Sequence, residues 1–327
     1  MRHSLPRRAL LSLPLAALAA PALAQSFPQR NITIIVPSAP GGTLDALARY
    51  FGQAMAPLLG RSVVVENVGG AGGLIGMQRA ARAEADGQTL VFGNMGVMAV
   101  GHVLNPNAGF DPRRELAPIS MVADVPMVLA ASPRGQIRDL QGLLDHIRRN
   151  GDKATFGTAG SGTTSHLAPG YLLHLAGLKA TLVSYRGAGP AMADLAAGTV
   201  DAVIDQTVTM IPAHRGGTAI ALAVSAPQRI PQLPDVPSFA EAGLPGFDLV
   251  IWNAFAAPAA TPAPVIARLA EAIEGAQQDP VLQGRLRDLA STAPAPAARG
   301  PEALRQRIAS DIAKWTQIIG ASGINRE

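Results

Sequence analysis

Short apolar runs alternate with helical patterns along almost the whole chain. The clearest strand candidates are residues 32–36, 63–66, 89–92, 154–156, 180–184 and 202–204. Between them, apolar residues recur at helical spacing. Leu44, Leu47, Phe51, Met55 and Leu58 form one stripe, and Leu304, Ile308, Ile312, Trp315 and Ile319 form another near the end. This alternation predicts an α/β protein with mostly parallel sheets flanked by helices. Two stretches break the rhythm. Residues 122–131 form a long extended apolar run containing Pro126, and residues 222–225 lead into Pro227, Pro231, Pro234, Pro237 and Pro245. They read as two crossings between lobes. The first lobe would then combine residues 25–126 with 247–327, and the second would be the inserted middle, 127–246. A mature part of about 300 residues is long for one core and comfortable for two.

The first residues read as a leader. Arg2, Arg7 and Arg8 precede an apolar stretch over residues 9–23, which ends in the small-x-small site Ala22-Leu23-Ala24. Residues 1–24 are therefore expected to be a cleaved secretory signal, exported by the Sec or the twin-arginine route. The chain has no cysteine. That excludes a disulfide framework, a catalytic thiol and a lipid anchor at the cleavage site. A protein free in the periplasm is expected. The formal charge of +4 falls to +1 once the three basic residues of the leader are set aside, because 24 basic residues then face 23 acidic ones. No basic patch with interleaved aromatics marks a nucleic-acid surface.

Four strand-to-helix junctions carry the candidate chemistry. The first, residues 37–45, runs through Pro40-Gly41-Gly42-Thr43 into the first helix. Free N–H groups and a positive helix end at such a point favour a carboxylate. Thr43 is placed to cap the helix and offers a hydroxyl. Asp45 either stabilises the helix start or faces a ligand cation. The second junction is Glu66-Asn-Val-Gly-Gly-Ala-Gly-Gly-Leu-Ile-Gly76. Its glycine spacing resembles a dinucleotide fingerprint, but no acidic residue is placed for a ribose after the next strand, so a backbone N–H cradle is the better reading. The third is Gly157-Thr-Ala-Gly-Ser-Gly-Thr-Thr-Ser-His166, rich in hydroxyls, and the fourth is Tyr185-Arg-Gly-Ala-Gly-Pro190. Asp205 ends the strand at 202–204, where a crevice forms in open α/β sheets, or caps the following helix.

A hydrolase built on Ser161 or Ser165 with His166 and Asp201 or Asp205 is the rival reading. Gly160-Ser161-Gly162 does not match the nucleophile elbow, and adjacency in sequence does not make a catalytic pair. His166 more simply orders its own loop. The six histidines show no metal-ligand spacing, so neither a metal nor another cofactor is expected.

Taken together the motifs resemble those of the tripartite tricarboxylate transporter substrate-binding proteins, the Bug receptors. The resemblance is carried by Ile35-Val-Pro-Ser-Ala-Pro-Gly-Gly-Thr-Leu-Asp-Ala-Leu-Ala-Arg49, the second glycine loop and Gly160-Ser-Gly-Thr-Thr-Ser-His-Leu167. Tyr185-Arg-Gly-Ala-Gly-Pro-Ala-Met-Ala-Asp-Leu195, the proline-rich segment 233–246 and Ile312-Ala-Lys-Trp315 follow in order. It implies a two-lobed periplasmic-binding-protein fold of type II character, with a two-crossing hinge. It also implies a non-catalytic monomer that holds a small carboxylate and delivers it to membrane permease subunits. The ligand-facing residues it implies are Pro40, Gly41, Thr43, Asp45, Gly72, Asn94 and Met95 from one lobe. Ser161, Thr164, Ser165, Gly187 and Asp205 come from the other. A ligand-sensing receptor of the same fold, acting on a sensor kinase, is the alternative within that fold. Two departures fall on the second lobe. Ala168-Pro169-Gly170 stands where a Glu is common, and Ser184 where a Pro is usual. Pro169 is expected to shift or kink its helix start.

Overall fold

The computed structural model describes residues 27–322, so the leader assigned to residues 1–24 lies outside the described part. Nine strands join in one curled mixed sheet: β1 (Ile32–Val36), β2 (Val63–Asn67), β3 (Thr89–Asn94), β4 (Leu116–Ala131), β5 (Thr155–Thr158), β6 (Thr181–Ser184), β7 (Ala202–Gln206), β8 (Ile220–Val224) and β9 (Val250–Pro258). Their order is β2-β1-β3-β9-β4-β7-β5-β6, with β8 also on β4. The helices are α1 (Thr43–Leu59), α2 (Leu74–Ala81), α3 (Gly101–Leu104), α4 (Pro112–Glu115), α5 (Leu140–Asn150), α6 (Thr164–Ala176), α7 (Ala188–Ala197), α8 (Thr207–Arg215), α9 (Ala263–Ala276), α10 (Pro280–Asp288) and α11 (Pro301–Ser322).

The two wings of the sheet are parallel, as the strand–helix alternation implies. β1 pairs in parallel with β2 and β3, and β5 with β6 and β7. The centre is antiparallel. β4 is the spine, 16 residues long, or about 50 Å at strand rise. Residues Leu116 to Pro126 pair with β9, and from Met127 onward the partners are β7 and β8. The partner changes next to Pro126, which has no N–H to give to a ladder. β4 begins six residues earlier than the extended run read from the sequence. β9 was not predicted at all: in Val250–Pro258 apolar and small residues follow one another without alternation, because both faces are buried.

β1 is a run of β-branched residues buried against helices on both sides, which suits a central parallel strand. α1 covers one face through Leu44, Leu47, Phe51 and Met55. The stripe ends on Leu59, not on Leu58, which is 41% exposed. A repeat of 3.6 residues allows either position, and the helix closes at Gly60 in the left-handed region. α11 buries Leu304, Ile308, Ile312, Trp315 and Ile319, as its spacing predicts. Phe255 on β9 meets Phe51 and Phe92 at ring distances of 6.0 and 4.7 Å. Each such burial contributes roughly 1.5–3 kcal/mol, so β9 is held by packing as well as by its ladders. α6 runs unbroken through Pro169. The ring costs the helix one N–H, yet the helix starts at Thr164 with Thr163 as its cap.

Candidate functional site

Four helix N-termini open onto one cavity at the carboxyl ends of the strands. Gly42, Thr43 and Leu44 come from the start of α1, and Thr163, Thr164 and Ser165 from the start of α6. Ala188 opens α7, Asp205 and Gln206 end β7 just before α8, and Asn94 ends β3. The first N–H groups of any helix have no partner inside it. Gly42, Gly187 and Gln206, the residues preceding α1, α7 and α8, give no side-chain cap that would use them. Thr163 caps α6 by accepting from the His166 N–H. The cavity therefore collects N–H donors and positive helix ends around a small volume. The space open to the centre of a water-sized sphere is ≈ 30 Å³, room for about two water-sized groups.

Two polar side-chain atoms in this wall have no hydrogen-bond partner among the described residues: Ser165 Oγ and Asp205 Oδ2. Asp205 is 3% exposed. Its Oδ1 accepts from the Gln206 N–H at 2.8 Å. Burial pushes its carboxyl up to about 6, against smaller opposing effects of the Gln206 N–H and the Thr209 hydroxyl. No Lys, Arg or His is among the described residues that line the cavity. Asn94 Oδ1 is spent on the Gly96 N–H at 3.0 Å and so orders the π-helical turn Gly96–Val100.

The loops on either side are in contact. Ala39 N–H donates to Arg186 O at 3.1 Å. Thr43 and Thr209 share a hydroxyl–hydroxyl bond of 2.7 Å, and Asn253 Nδ2 donates to Gln206 Oε1 at 2.8 Å. Several glycines, Gly72 and Gly187 among them, are required for this approach. A Cβ on Gly72 would stand 1.5 Å from Ser161 O, and one on Gly187 would stand 2.8 Å from Ala39 N.

Of the twelve residues expected to face a ligand, Thr43, Asn94, Thr164, Ser165 and Asp205 line this cavity. Gly72 and Ser161 line a neighbouring hollow with Leu74, Met77 and Phe110, and Val97 is common to both. Met95 lines a third depression beside Tyr171 and Trp315. Pro40, Gly41, Asp45 and Gly187 are not in the cavity wall. Thr43 is the first residue of α1, and Gly42, not Thr43, holds the cap position. Asp45 turns back on its own loop. Its Oδ2 accepts from the Gly41 N–H at 3.0 Å, and its Oδ1 from Arg49 Nε at 3.0 Å. His166 Nδ1 meets Thr158 Oγ1 at 3.2 Å, a contact that ties it to the end of β5. Ser38, Gly42, Thr163 and Ala188, which lie in the first, third and fourth junctions, also line the cavity, as does Gln206. Gln206, next to Asp205 at a strand end, is the one of these that lies outside those junctions.

A larger groove of ≈ 860 Å³ lies elsewhere, between α9 and the start of α11. It is lined by residues such as Ile266, Ala270 and Arg299, and none of the orphaned polar atoms belongs to it. Its two arginines are already paired, Arg299 with Glu274 and Arg305 with Glu302.

The family model of the tripartite tricarboxylate transporter family receptor matches residues 47–324. The chain belongs to that family. This receptor is 33% identical to the protein BugT of Bordetella pertussis over 309 residues, 94% of each chain. Its structure is similar to that of the periplasmic binding protein BugD, at 34% identity and a TM-score of 0.88, covering 92% of this chain and 100% of that one. It is also similar to MatC from Rhodopseudomonas palustris with bound malate, at 34% identity and a TM-score of 0.86, covering 90% and 100%. The fold expected from the motifs, a periplasmic-binding-protein fold, is borne out, and so is the reading as a solute-binding protein. No helix of the described residues is long and apolar enough to cross a membrane.

Proposed function

We propose that the receptor works in the periplasm, closing two lobes over a small organic acid and passing it to membrane permease subunits of the tripartite tricarboxylate type. The observation that carries this is the convergence of four helix N-termini on one cavity whose wall holds two orphaned polar atoms. Fixed N–H donors bind a carboxylate without a salt bridge, because their dipoles are aimed before the ligand arrives. The lobes divide at the partner change on β4, residues 27–126 with 247–322 forming one and 127–246 the other. Bonds such as Ala39 N–H to Arg186 O then form as the lobes close, and a ligand that adds contacts only in that state shifts the population toward it. Pro40, Gly41 and Gly187 shape the cradle from behind. The hollow that shares Val97, with Gly72 and Ser161, takes what the ligand carries beyond its acid group. MatC, to which the receptor is similar, holds malate, an acid of the class proposed. Binding and release are the whole task in this reading, with no bond made or broken.

The test is a thermal-shift panel of small carboxylates on the mature protein. A ligand at ~100 times its dissociation constant adds about 2.7 kcal/mol to stability, a clear rise in melting midpoint. A panel in which amides and alcohols raise the midpoint and no acid does would sink the proposal. Turnover of an ester substrate would sink the non-catalytic reading.

A further inference from the structure

We infer that Asp205 and Ser165 select a ligand with a hydrogen-bond donor on the carbon next to its carboxylate, a 2-hydroxy or 2-amino acid, over the plain acid of the same length. The inference rests on reading the cavity as an acid site and adds which acids fit it.

The helix starts supply N–H donors, which satisfy a carboxylate. They do nothing for Asp205 Oδ2, an acceptor in the same wall with no partner. Any acid in the cradle places a second negative group beside it in a buried space, where charges repel strongly, and only an acid that brings its own donor offsets this. Nothing in the lining neutralises Asp205, since no Lys, Arg or His is among its described residues. Asp45 cannot share the task, because both its oxygens are engaged by Gly41 and Arg49. The Thr209 hydroxyl acts on the Asp205 carboxyl and is shared with Thr43, yet Oδ2 stays without a partner, so the remaining donor comes from the ligand. With ≈ 30 Å³ open to water-sized centres, donor and carboxylate must belong to one compact head group, which places the donor within a bond or two of the acid carbon. Ser165 Oγ, 2% exposed as a residue and also unpartnered, can donate to the carboxylate or accept from the same donor. A site built around such a bond rejects the analogue that lacks it, because the protein's own group stays buried and unpaired.

The experiment is titration calorimetry on the mature protein near neutral pH with paired probes: lactate against propionate, malate against succinate, and aspartate as the amino arm. The hydroxy or amino member should bind at least ~10-fold more tightly than the plain acid. Asp205→Asn should shrink that preference to a few-fold, and Ser165→Ala should narrow it. Malate against aspartate distinguishes hydroxyl from ammonium as the donor. Equal affinity for both members of each pair overturns the inference while leaving the acid site intact. An undiminished preference in Asp205→Asn also overturns it. If neither member of any pair binds, the acid-site reading falls and takes this inference with it. Should Asp205→Asn fail to fold, the wild-type pairs and Ser165→Ala decide the matter.

Discussion

The hydroxyls of Thr43 and Thr209 meet at 2.7 Å across 166 positions of sequence. Thr43 opens α1, which packs on the β1 wing, and Thr209 lies in the first turn of α8, after β7 on the other wing. The bond ties the start of α1, which lines the cavity through Thr43, to α8. Thr209→Val keeps the shape and removes the hydroxyl. The loss of about 1 kcal/mol should fall on the closed form, weakening ligand affinity about 5-fold with little change in the melting midpoint without ligand. Calorimetry and small-angle scattering on the variant would check both. An unchanged affinity would mean that this pair does not hold the wings together.

Gly72 makes a sharper version of the same argument. Its φ of 61° and the 1.5 Å that a Cβ would leave to Ser161 O are two separate obstacles to a side chain. Gly60 has nearly the same φ, 63°, and nothing within 4 Å of its Cβ position. Gly60→Ala should therefore cost only the backbone strain, about 1–2 kcal/mol. Gly72→Ala should cost a similar amount in melting and should also weaken ligand binding more than ~10-fold, because the loops can no longer touch. Equal affinities of the two variants would rule out the loop contact as part of the closed state.

How much of this was readable in the sequence divides along a physical line. The strand-to-helix junctions were legible because each is a local signal, with Gly and hydroxyl residues between an apolar run and an amphipathic helix. Which junctions share a cavity was not, because that depends on how the sheet curls. Gly72 and Ser161 look equivalent to Gly42 and Ser165 in sequence, yet they line the neighbouring hollow. β9 was missed because two buried faces erase alternation. The role of Asp45 was undecidable from spacing, since a helix start and a ligand cation both favour a carboxylate there; only the positions of Gly41 and Arg49 separate the two.

Asp205 should cost the protein stability at neutral pH. Its carboxyl is raised from 3.8 to about 6, so the native state binds this proton more tightly than the unfolded chain. The sign follows: the penalty is absent below about 4, grows as pH rises through the window from 4 to 6, and is complete above it. Its size is about 3 kcal/mol. Asp205→Asn should therefore melt higher than wild type without ligand at neutral pH, and the gap should close as pH falls to 4. If the variant melts lower at neutral pH, Asp205 is paired in a way that offsets its burial.

Asp45 should behave in the opposite way. Burial pushes its carboxyl up, but the Arg49 side chain, the Gly41 N–H, Asn67 and the Arg49 charge together more than offset this, so it lies below 3.8. A lowered carboxyl contributes stability that is present above the unfolded value and lost as pH falls through the folded one. The Asp45 side chain is only 10% exposed, whereas Arg49 is 47% exposed, so solvent screens part of the pair. Asp45→Ala should lower stability by about 1–2 kcal/mol at neutral pH, with the difference fading in acid. Because Asp45 stands behind the loop and outside the cavity wall, the loss in ligand affinity should be smaller than that of Asp205→Asn for a 2-hydroxy or 2-amino acid. Melting curves and titrations on the two variants settle the order. An Asp45→Ala variant that keeps its melting midpoint but no longer binds would turn the side chain around and place it against the ligand.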